Sequence, residues 1–428
     1  MSSHVVRTVP WADSTLALLI RGYAWLPDQF RKSGGAPVRA RLLGHSATAL
    51  HGRDAVAFFY EEGHIARSAA LPGPVLDTLF GRGAVHTLDG PAHRARKELF
   101  LGLLKDPRGV TTLAGHVTLR WRQAAAGWGS EPVVVFDEAA RVLARSVCDW
   151  AGLPLSDSQI ARMAADCTAM VNGFAVPGPR HLRARHARAR QETLLADLVV
   201  RTRDAGGPEA PGEASATVLE AVARHRDADG ALLDAHTAAV ELLNVIRPTV
   251  AIAWFTAFAA HALHRWPQHR TLLREDGDGR YARAFAHEVR RFYPFAPFVG
   301  GFAAADLDFH GTPLTEGTLV LLDLYGHHHD PHLFPHPYRF DPHRFLPAHP
   351  GLADLIPQGG GDPVRGHRCP GEDITVAALA VLAAELAHLD MDVPEQDLTI
   401  SLTRIPTLPH SGFVFTLSPS SVRRPVPR

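Results

Sequence analysis

Two stretches of this 428-residue chain set residue types where they could do chemistry: a glycine-rich loop ending in a cysteine, and an arginine placed before a proline in a long apolar run. The loop reads Ile356-Pro357-Gln358-Gly359-Gly360-Gly361-Asp362-Pro363-Val364-Arg365-Gly366-His367-Arg368-Cys369-Pro370-Gly371-Glu372. Glycine has no Cβ, so such a loop can press its backbone close to a flat ligand. Pro370 suits the first turn of a helix, and a helical pattern follows it. Cys369 then lies at the positive end of a helix dipole, beside free backbone N–H groups. Both effects lower a thiol's pKa and tune the donor strength of the thiolate. A phosphate-gripping loop is the competing reading, but the Lys-Ser/Thr pair it needs is missing.

The second stretch reads Glu241-Leu242-Leu243-Asn244-Val245-Ile246-Arg247-Pro248-Thr249. Pro248 has no N–H, so the Asn244 carbonyl loses its helical partner and the helix is expected to kink. Arg247 is thereby aimed into apolar surroundings. Either it snorkels to the surface, or it is a buried guanidinium waiting for an anion. An unpaired buried charge costs on the order of several kcal/mol, and a carboxylate gripped at two points satisfies it.

Other residues of possible function carry blander readings. Cys148 and Cys167 make no disulfide framework or zinc pair with Cys369 and read as small buried hydrophobes. His327-His328-His329 and His332 raise a metal site built from histidines, but no His-Glu-x-x-His spacing supports it and the expectation is an ordinary loop. The run from Arg180 to Arg190 holds five arginines and two histidines on a helical pattern. It reads as a solvated face or as a docking patch for an acidic partner.

The elements that must position these groups are mostly helical. Apolar periodicity predicts helices over about 92–105, 110–128, 135–152, 157–173, 181–204, 214–226, 232–265, 282–293 and 371–389. Residues of about 38–50 and 297–323 look strand-like, with a turn in Phe309-His310-Gly311-Thr312-Pro313-Leu314. The linker-like stretch 205–213 reads as a surface loop, so residues 1–428 are expected to form one domain. A composition of 46% hydrophobic and 21% charged residues is ordinary for a globular chain. Lys+Arg and Asp+Glu both number 44, so no global field points to nucleic acid or a membrane. There is no run of 18 or more apolar residues and no signal-peptide pattern at Met1-Ser2-Ser3-His4, which leads to the expectation of a cytoplasmic protein without a membrane span.

Two more segments give the cysteine loop a context. Glu288-Val289-Arg290-Arg291 spaces a carboxylate one helical neighbour from a guanidinium, and Phe340-Asp341-Pro342-His343-Arg344-Phe345 follows about fifty residues later. In this order, upstream of Cys369, they resemble the Glu-x-x-Arg and Phe-x-Pro-x-Arg-Phe elements of cytochrome P-450 enzymes. The resemblance covers nearly the whole chain, from Arg67 to the last helix. It implies a mainly α (α+β) fold, helix-rich with small β-sheets, with haem b between a long distal helix and the cysteine loop. Cys369 would be the axial ligand of the iron. Glu288, Arg291 and Arg344 would form a buried ion network.

The chain departs from ordinary members in carrying Arg365 and Asp362 where they have a glycine and an aromatic. Its Pro357-Gln358-Gly359-Gly360-Gly361, Gly366-His367-Arg368-Cys369-Pro370-Gly371-Glu372, Gly178-Pro179-Arg180-His181 and Asp323-Leu324-Tyr325-Gly326 are similar instead to the bacterial fatty-acid peroxygenases, the 152 family of α/β-hydroxylases and decarboxylases. That resemblance implies a catalytic set of Arg247, His86 and Pro248, with the carboxylate of a long-chain fatty acid bound at Arg247. The acid–alcohol pair of oxygen-activating relatives is missing from the long helix, so the substrate carboxylate would serve as general acid–base toward hydrogen peroxide. No redox partner would be obligatory. Residue by residue, Arg67, His93, Lys97 and His367 would hold the haem propionates. Leu79, Phe80, Val171, Phe174, Phe295 and Ala296 would line the alkyl channel, with core packing as their blander role. A histidine at 86 resembles the alkene-forming members, though hydroxylating relatives carry histidine or glutamine there. A conventional monooxygenase, using dioxygen and an electron-transfer partner, is the alternative activity.

Overall fold

The structure is a computed structural model that describes residues 12–174, 176–206, 217–347, 351 and 353–418. Local signals place the predicted helices within a few residues. Asp106 accepts the N–H groups of Arg108 and Gly109 and starts Pro107–Gly127. Ser156 and Gln159 form a reciprocal cap on Asp157–Gly173. Val135–Ala151 ends at Gly152, whose φ of 72° is left-handed. Gly90–Leu104, Pro179–Asp204, Val218–Ala223, Arg280–Phe292 and Glu372–His388 complete the expected set. Residues 214–216 of the expected 214–226 helix lie outside the described residues.

Trp25–Ser33 and Arg53–Phe59 are helices the periodicity did not pick out. Each runs for two turns or so, too short for a repeat of 3.6 to stand out. The strand-like stretch at 38–50 is a hairpin, Val38–Leu42 with His45–Leu50, and the expected turn after Phe309 joins Leu307–Phe309 to Thr312–Leu314. The main sheet runs Val38–Leu42, His45–Leu50, Leu319–Asp323, Phe298–Ala303, Ile65–Ala66. Its central strand pairs parallel to one neighbour and antiparallel to the other, and all five of its residues are buried. A second sheet joins Val133–Val134, Val414–Leu417 and Met391–Asp392, and its distant pairings left no local mark in the sequence.

The long helix spans Ala235–Val250 and Ile252–Arg265, with a break at Ala251, three residues beyond Pro248. The expected kink is therefore a discontinuity one turn downstream. By length and by a mean hydropathy of 1.4, Ala235–Arg265 is apolar enough to cross a membrane, which the test for unbroken apolar runs overlooked. Its most apolar window is 94% buried inside the protein, as in a core helix. It is walled by Val135–Ala151 and Pro179–Asp204, and it presents Arg247 to the interior.

Candidate active site

Cys369 sits at the entrance to the helix Glu372–His388. Its N–H donates to the Gln358 carbonyl at 3.2 Å, and Gln358 Nε2 lies 3.7 Å from its Sγ. Gln358 is itself fixed by Arg290, which donates to its Oε1 at 2.8 Å and also binds Glu372. Arg368 Nε donates to the other oxygen of Glu372 at 2.8 Å. The expected lowering influence of a backbone N–H on the Cys369 thiol is present, but burial opposes it. Burial raises the thiol's pKa, and the Gly371 N–H, Lys97 and Arg290 pull against that rise without cancelling it. The loop glycines also have a different reason. A Cβ at Gly361 would stand 2.6 Å from Tyr60 Cβ, and one at Gly360 would stand 2.7 Å from Val56. They let the loop pass a protein wall, formed by Val56 and Tyr60 at the end of Arg53–Phe59. Asp362, the residue replacing the family's aromatic, accepts the N–H groups of Val364 and Arg365 and closes the turn.

The implied ion network is present. Glu288 takes both Nε and Nη2 of Arg291 at 2.7 Å and lies 3.1 Å from Arg344 Nε, with Glu288 and Arg291 wholly buried. Two of the three consecutive histidines are helical and the third, His329, lies in the turn that follows. His327 and His328 end the short helix Tyr325–His328, all three are buried, and burial holds each well under the usual histidine range. His328 Nε2 accepts the Ile356 N–H, which ties them to the cysteine loop. No cluster of metal-ligating side chains occurs among the described residues.

Around the loop the structure gathers the four expected propionate holders. His93 and Lys97, four residues apart on one helix, share a face. The His93 ring is 4.0 Å from that of His367, and Lys97 Nζ donates to the Gly366 and Arg368 carbonyls. Burial pushes His93 down to about 4, His367 to about 3 and Lys97 to about 8. Arg67 is within electrostatic reach of both histidines, and its backbone N–H donates to Asp89. This concentration of donors, with Asp89 the carboxylate at its edge, would fit the two propionates of a haem whose iron Cys369 would hold.

On the long-helix side, Arg247 is 6% exposed, so the snorkelling reading is excluded. Among the described residues its side chain makes one hydrogen bond, to Asn244 Oδ1 at 3.4 Å, and its Nε has no partner; its guanidinium lies over the Phe80 ring at 5.6 Å. Burial, then the charge of Arg188, lowers its pKa to about 9. The Phe80 ring also packs on His86 at 4.4 Å. Burial and the nearby Arg247, Arg67 and His367 keep His86 neutral, and its Nδ1 is unpartnered. Pro248 is half-buried on the same helix. Leu79, Phe80, Val171, Phe174 and Phe295 belong to or pack against the main core, whereas Ala296 packs on the separate cluster under the sheet.

Several site residues escaped the sequence reading. Glu241, fully buried, accepts from Val85 N–H and from Arg96 Nη1, both at 2.7 Å, and Arg96 also binds Asp227. Asn244 Nδ2 donates to the Phe80 carbonyl at 2.9 Å. Polar residues every three positions at 241, 244 and 247 in an otherwise apolar helix were the signal for this chain of contacts.

The comparisons agree with this geometry. The family model for Cytochrome P450 matches residues 278–410. Among solved structures, cytochrome P450SP alpha (CYP152B1) is 40% identical over 95% of this chain and 98% of its own, with a TM-score of 0.89. Cytochrome P450 OleT is 33% identical over 96% and 98%, with a TM-score of 0.90. Among curated proteins, cyclooctat-9-en-7-ol 5-monooxygenase of Streptomyces melanosporofaciens is 27% identical over 49% of this chain and 48% of that protein. The chain spans less than half the length of the first curated relatives it matches. The chain belongs to the cytochrome P450 family of haem oxidoreductases. Within that family its place is with the fatty-acid peroxygenases, alongside CYP152B1 and OleT.

Proposed function

We propose that the chain is a haem-thiolate peroxygenase that uses hydrogen peroxide to oxidise free long-chain fatty acids. Oxidation falls on the α or β carbon, by hydroxylation or by oxidative decarboxylation to a terminal alkene. The observation that carries this reading is Arg247, a buried guanidinium with no carboxylate within ion-pair reach among the described residues. A buried cation left so exposed to its own desolvation is satisfied by an anion from outside, and a carboxylate fits its fork. OleT has been solved in complex with arachidonic acid, and CYP152B1 with (R)-ibuprophen, both carboxylic acids.

Haem b would be held by the Cys369 thiolate, with Arg67, His93, Lys97 and His367 near its propionates, and when bound would supply the oxidising chemistry. Arg247 anchors the substrate head group beside His86 and Phe80 and so restricts which carbons can be reached. For hydroxylation the balance is R–H + H2O2 → R–OH + H2O: the anchored carboxylate takes a proton from hydrogen peroxide and returns it to the oxygen that leaves as water, while the other peroxide oxygen ends in the substrate's C–OH bond. His86, being neutral, orients the reacting end without adding a charge. Pro248, next to Arg247, belongs to the same catalytic set. The enzyme then needs no electron-transfer partner.

The test compares initial rates with peroxide for a long-chain acid, the matching alcohol, and the alcohol plus a short carboxylic acid. The acid is expected to react fast and the alcohol poorly, and the short acid is expected to restore part of the rate. Equal rates for acid and alcohol would sink the substrate-assisted mechanism.

A further inference from the structure

The arginine-rich run at 180–190 does not behave as one surface. Arg180, Arg183, Arg185 and Arg190 are exposed, whereas Arg188 is 2% exposed and turned inward. Its position follows from the helix Pro179–Asp204, where Ala184, Ala187, Arg188, Gln191 and Leu195 share the buried face. An arginine on such a face must satisfy five N–H donors from the protein. Arg188 Nη1 donates to the Leu79 carbonyl at 2.7 Å, Nη2 to the Phe80 carbonyl at 3.0 Å, and Nε to Glu192 at 2.6 Å.

Those two carbonyls need a side-chain partner because of the local backbone. Leu76–Phe80 is a π-helical turn that ends at Gly81, whose φ is 85°. Single π-helical turns leave the ladder irregular, and the carbonyls at the end of any helix lack donors within it. Gly81 is required here for a second reason. A Cβ at 81 would stand 2.2 Å from Arg188 Nη2 and 2.7 Å from Val240. The guanidinium occupies the space that any side chain at 81 would need.

We infer that Arg188 is a positioning residue that sets which carbon of the substrate is oxidised, acting through the Leu79–Phe80 wall. The Phe80 ring is in contact with both His86 and Arg247, so its place determines how far apart the head-group anchor and the oxidised end are held. The Phe80 carbonyl has two fixed donors, Arg188 from one helix and Asn244 from the long helix, and Asn244 also meets Arg247. Arg188 and Asn244 together lock the wall to the helix that carries the anchor. Arg188 itself does not meet the substrate. This role rests on the peroxygenase reading of the same site.

The experiment uses the haem-loaded enzyme and three variants, Arg188→Lys, Gly81→Ala and Arg185→Lys. A lysine keeps the charge but cannot fork between two carbonyls. Gly81→Ala leaves Arg188 in the chain and displaces its guanidinium. Measured are the ratio of α to β products with peroxide, kcat and KM for one long-chain acid, melting temperature, and hydrogen exchange in the segment 76–88. In Arg188→Lys and Gly81→Ala the product ratio is expected to move by roughly three- to tenfold and kcat to fall, within the ~100-fold that a 1 Å misplacement can cost. KM changes less, because Arg247 still binds the carboxylate. Exchange quickens at 76–88, and the exposed control Arg185→Lys keeps the wild-type ratio. An unchanged ratio in both wall variants overturns the inference, as does a ratio that shifts equally in Arg185→Lys. A drop in kcat that tracks melting temperature alone, at constant product ratio, also overturns it by making Arg188 merely structural. A wild-type enzyme that oxidises no fatty acid with peroxide overturns the peroxygenase reading and the inference with it, and so is told apart from a failure confined to the variants.

Discussion

The two faces of the site treat buried charge differently. On the cysteine side, Glu372 is held by Arg290 and Arg368, Glu288 by Arg291 and Arg344, and Lys97 by two carbonyls. On the long-helix side, among the described residues, the Arg247 side chain has one long hydrogen bond to a neutral amide and an unpartnered Nε, and His86 has an unpartnered Nδ1. A buried charge whose partner belongs to the protein fixes geometry, and its loss is felt as instability. A buried charge whose partner is missing marks where something else must bind. The cysteine side therefore reads as a scaffold for a permanent group, and the long-helix side as a receptor for a transient one.

The comparison breaks most visibly at Cys369. Cys369→Ala is expected to abolish the thiolate-type carbon-monoxide difference spectrum altogether. Cys148 and Cys167, the other two cysteines, are fully buried, and burial raises their pKa values to about 12 and to above that range, respectively. Neither can replace the ligand. A variant that keeps the spectrum would show that the iron is held elsewhere.

Arg247→Ala tests the opposite face. With the anchor gone, peroxide-driven turnover of a fatty acid should fall by roughly 10²–10⁴, the usual scale for a lost general acid–base. Haem content and the carbon-monoxide spectrum should stay, since Arg247 makes no hydrogen bond to the cysteine loop. Measured side by side, retained haem and lost turnover would sharpen the division between scaffold and receptor. Loss of haem as well would erase it.

How much of this was legible beforehand differs between the faces for a physical reason. The cysteine side is written in contiguous sequence, since Gln358, Arg368, Cys369 and Glu372 lie within fifteen residues and Glu288 meets Arg291 across one helical turn. Local spacing could show that. The main helices were legible too, because an amphipathic stripe repeats over many turns. The packing of the loop glycines against Tyr60 was not legible, because that neighbour lies about 300 residues away and leaves no trace nearby. The burial that opposes the helix terminus at the Cys369 thiol was not legible, because burial is a tertiary quantity. Arg188 was hidden among exposed arginines of the same type. The contacts of Glu241 with Val85 and of Asn244 with Phe80 join residues more than 150 positions apart, so only the three-residue spacing on the long helix hinted at them.

The smallest expected effect is at His86, where the comparison turns on protonation. Burial first, and then the positive charges of Arg247, Arg67 and His367, hold this imidazole well below the usual histidine range. A base with a depressed folded-state pKa stays neutral as pH falls through the unfolded value of about 6.5, while the unfolded chain takes up the proton. Its neutral burial thus favours the fold above that pH, and the contribution is lost progressively toward the lower folded value. Glutamine cannot titrate, so His86→Gln should lose stability less steeply between about pH 6.5 and 5 than the wild type, as read from denaturant midpoints. Near pH 7 both proteins carry a neutral side chain there, and their rate–pH profiles should coincide. What changes is placement. The ring that packs on Phe80 is replaced by a flexible amide, so the product ratio should shift by roughly threefold, less than for the wall variants, with fatty-acid affinity nearly kept because Arg247 is intact. Unchanged products with weakened binding would remove His86 from the reacting end of the substrate and leave it a structural residue.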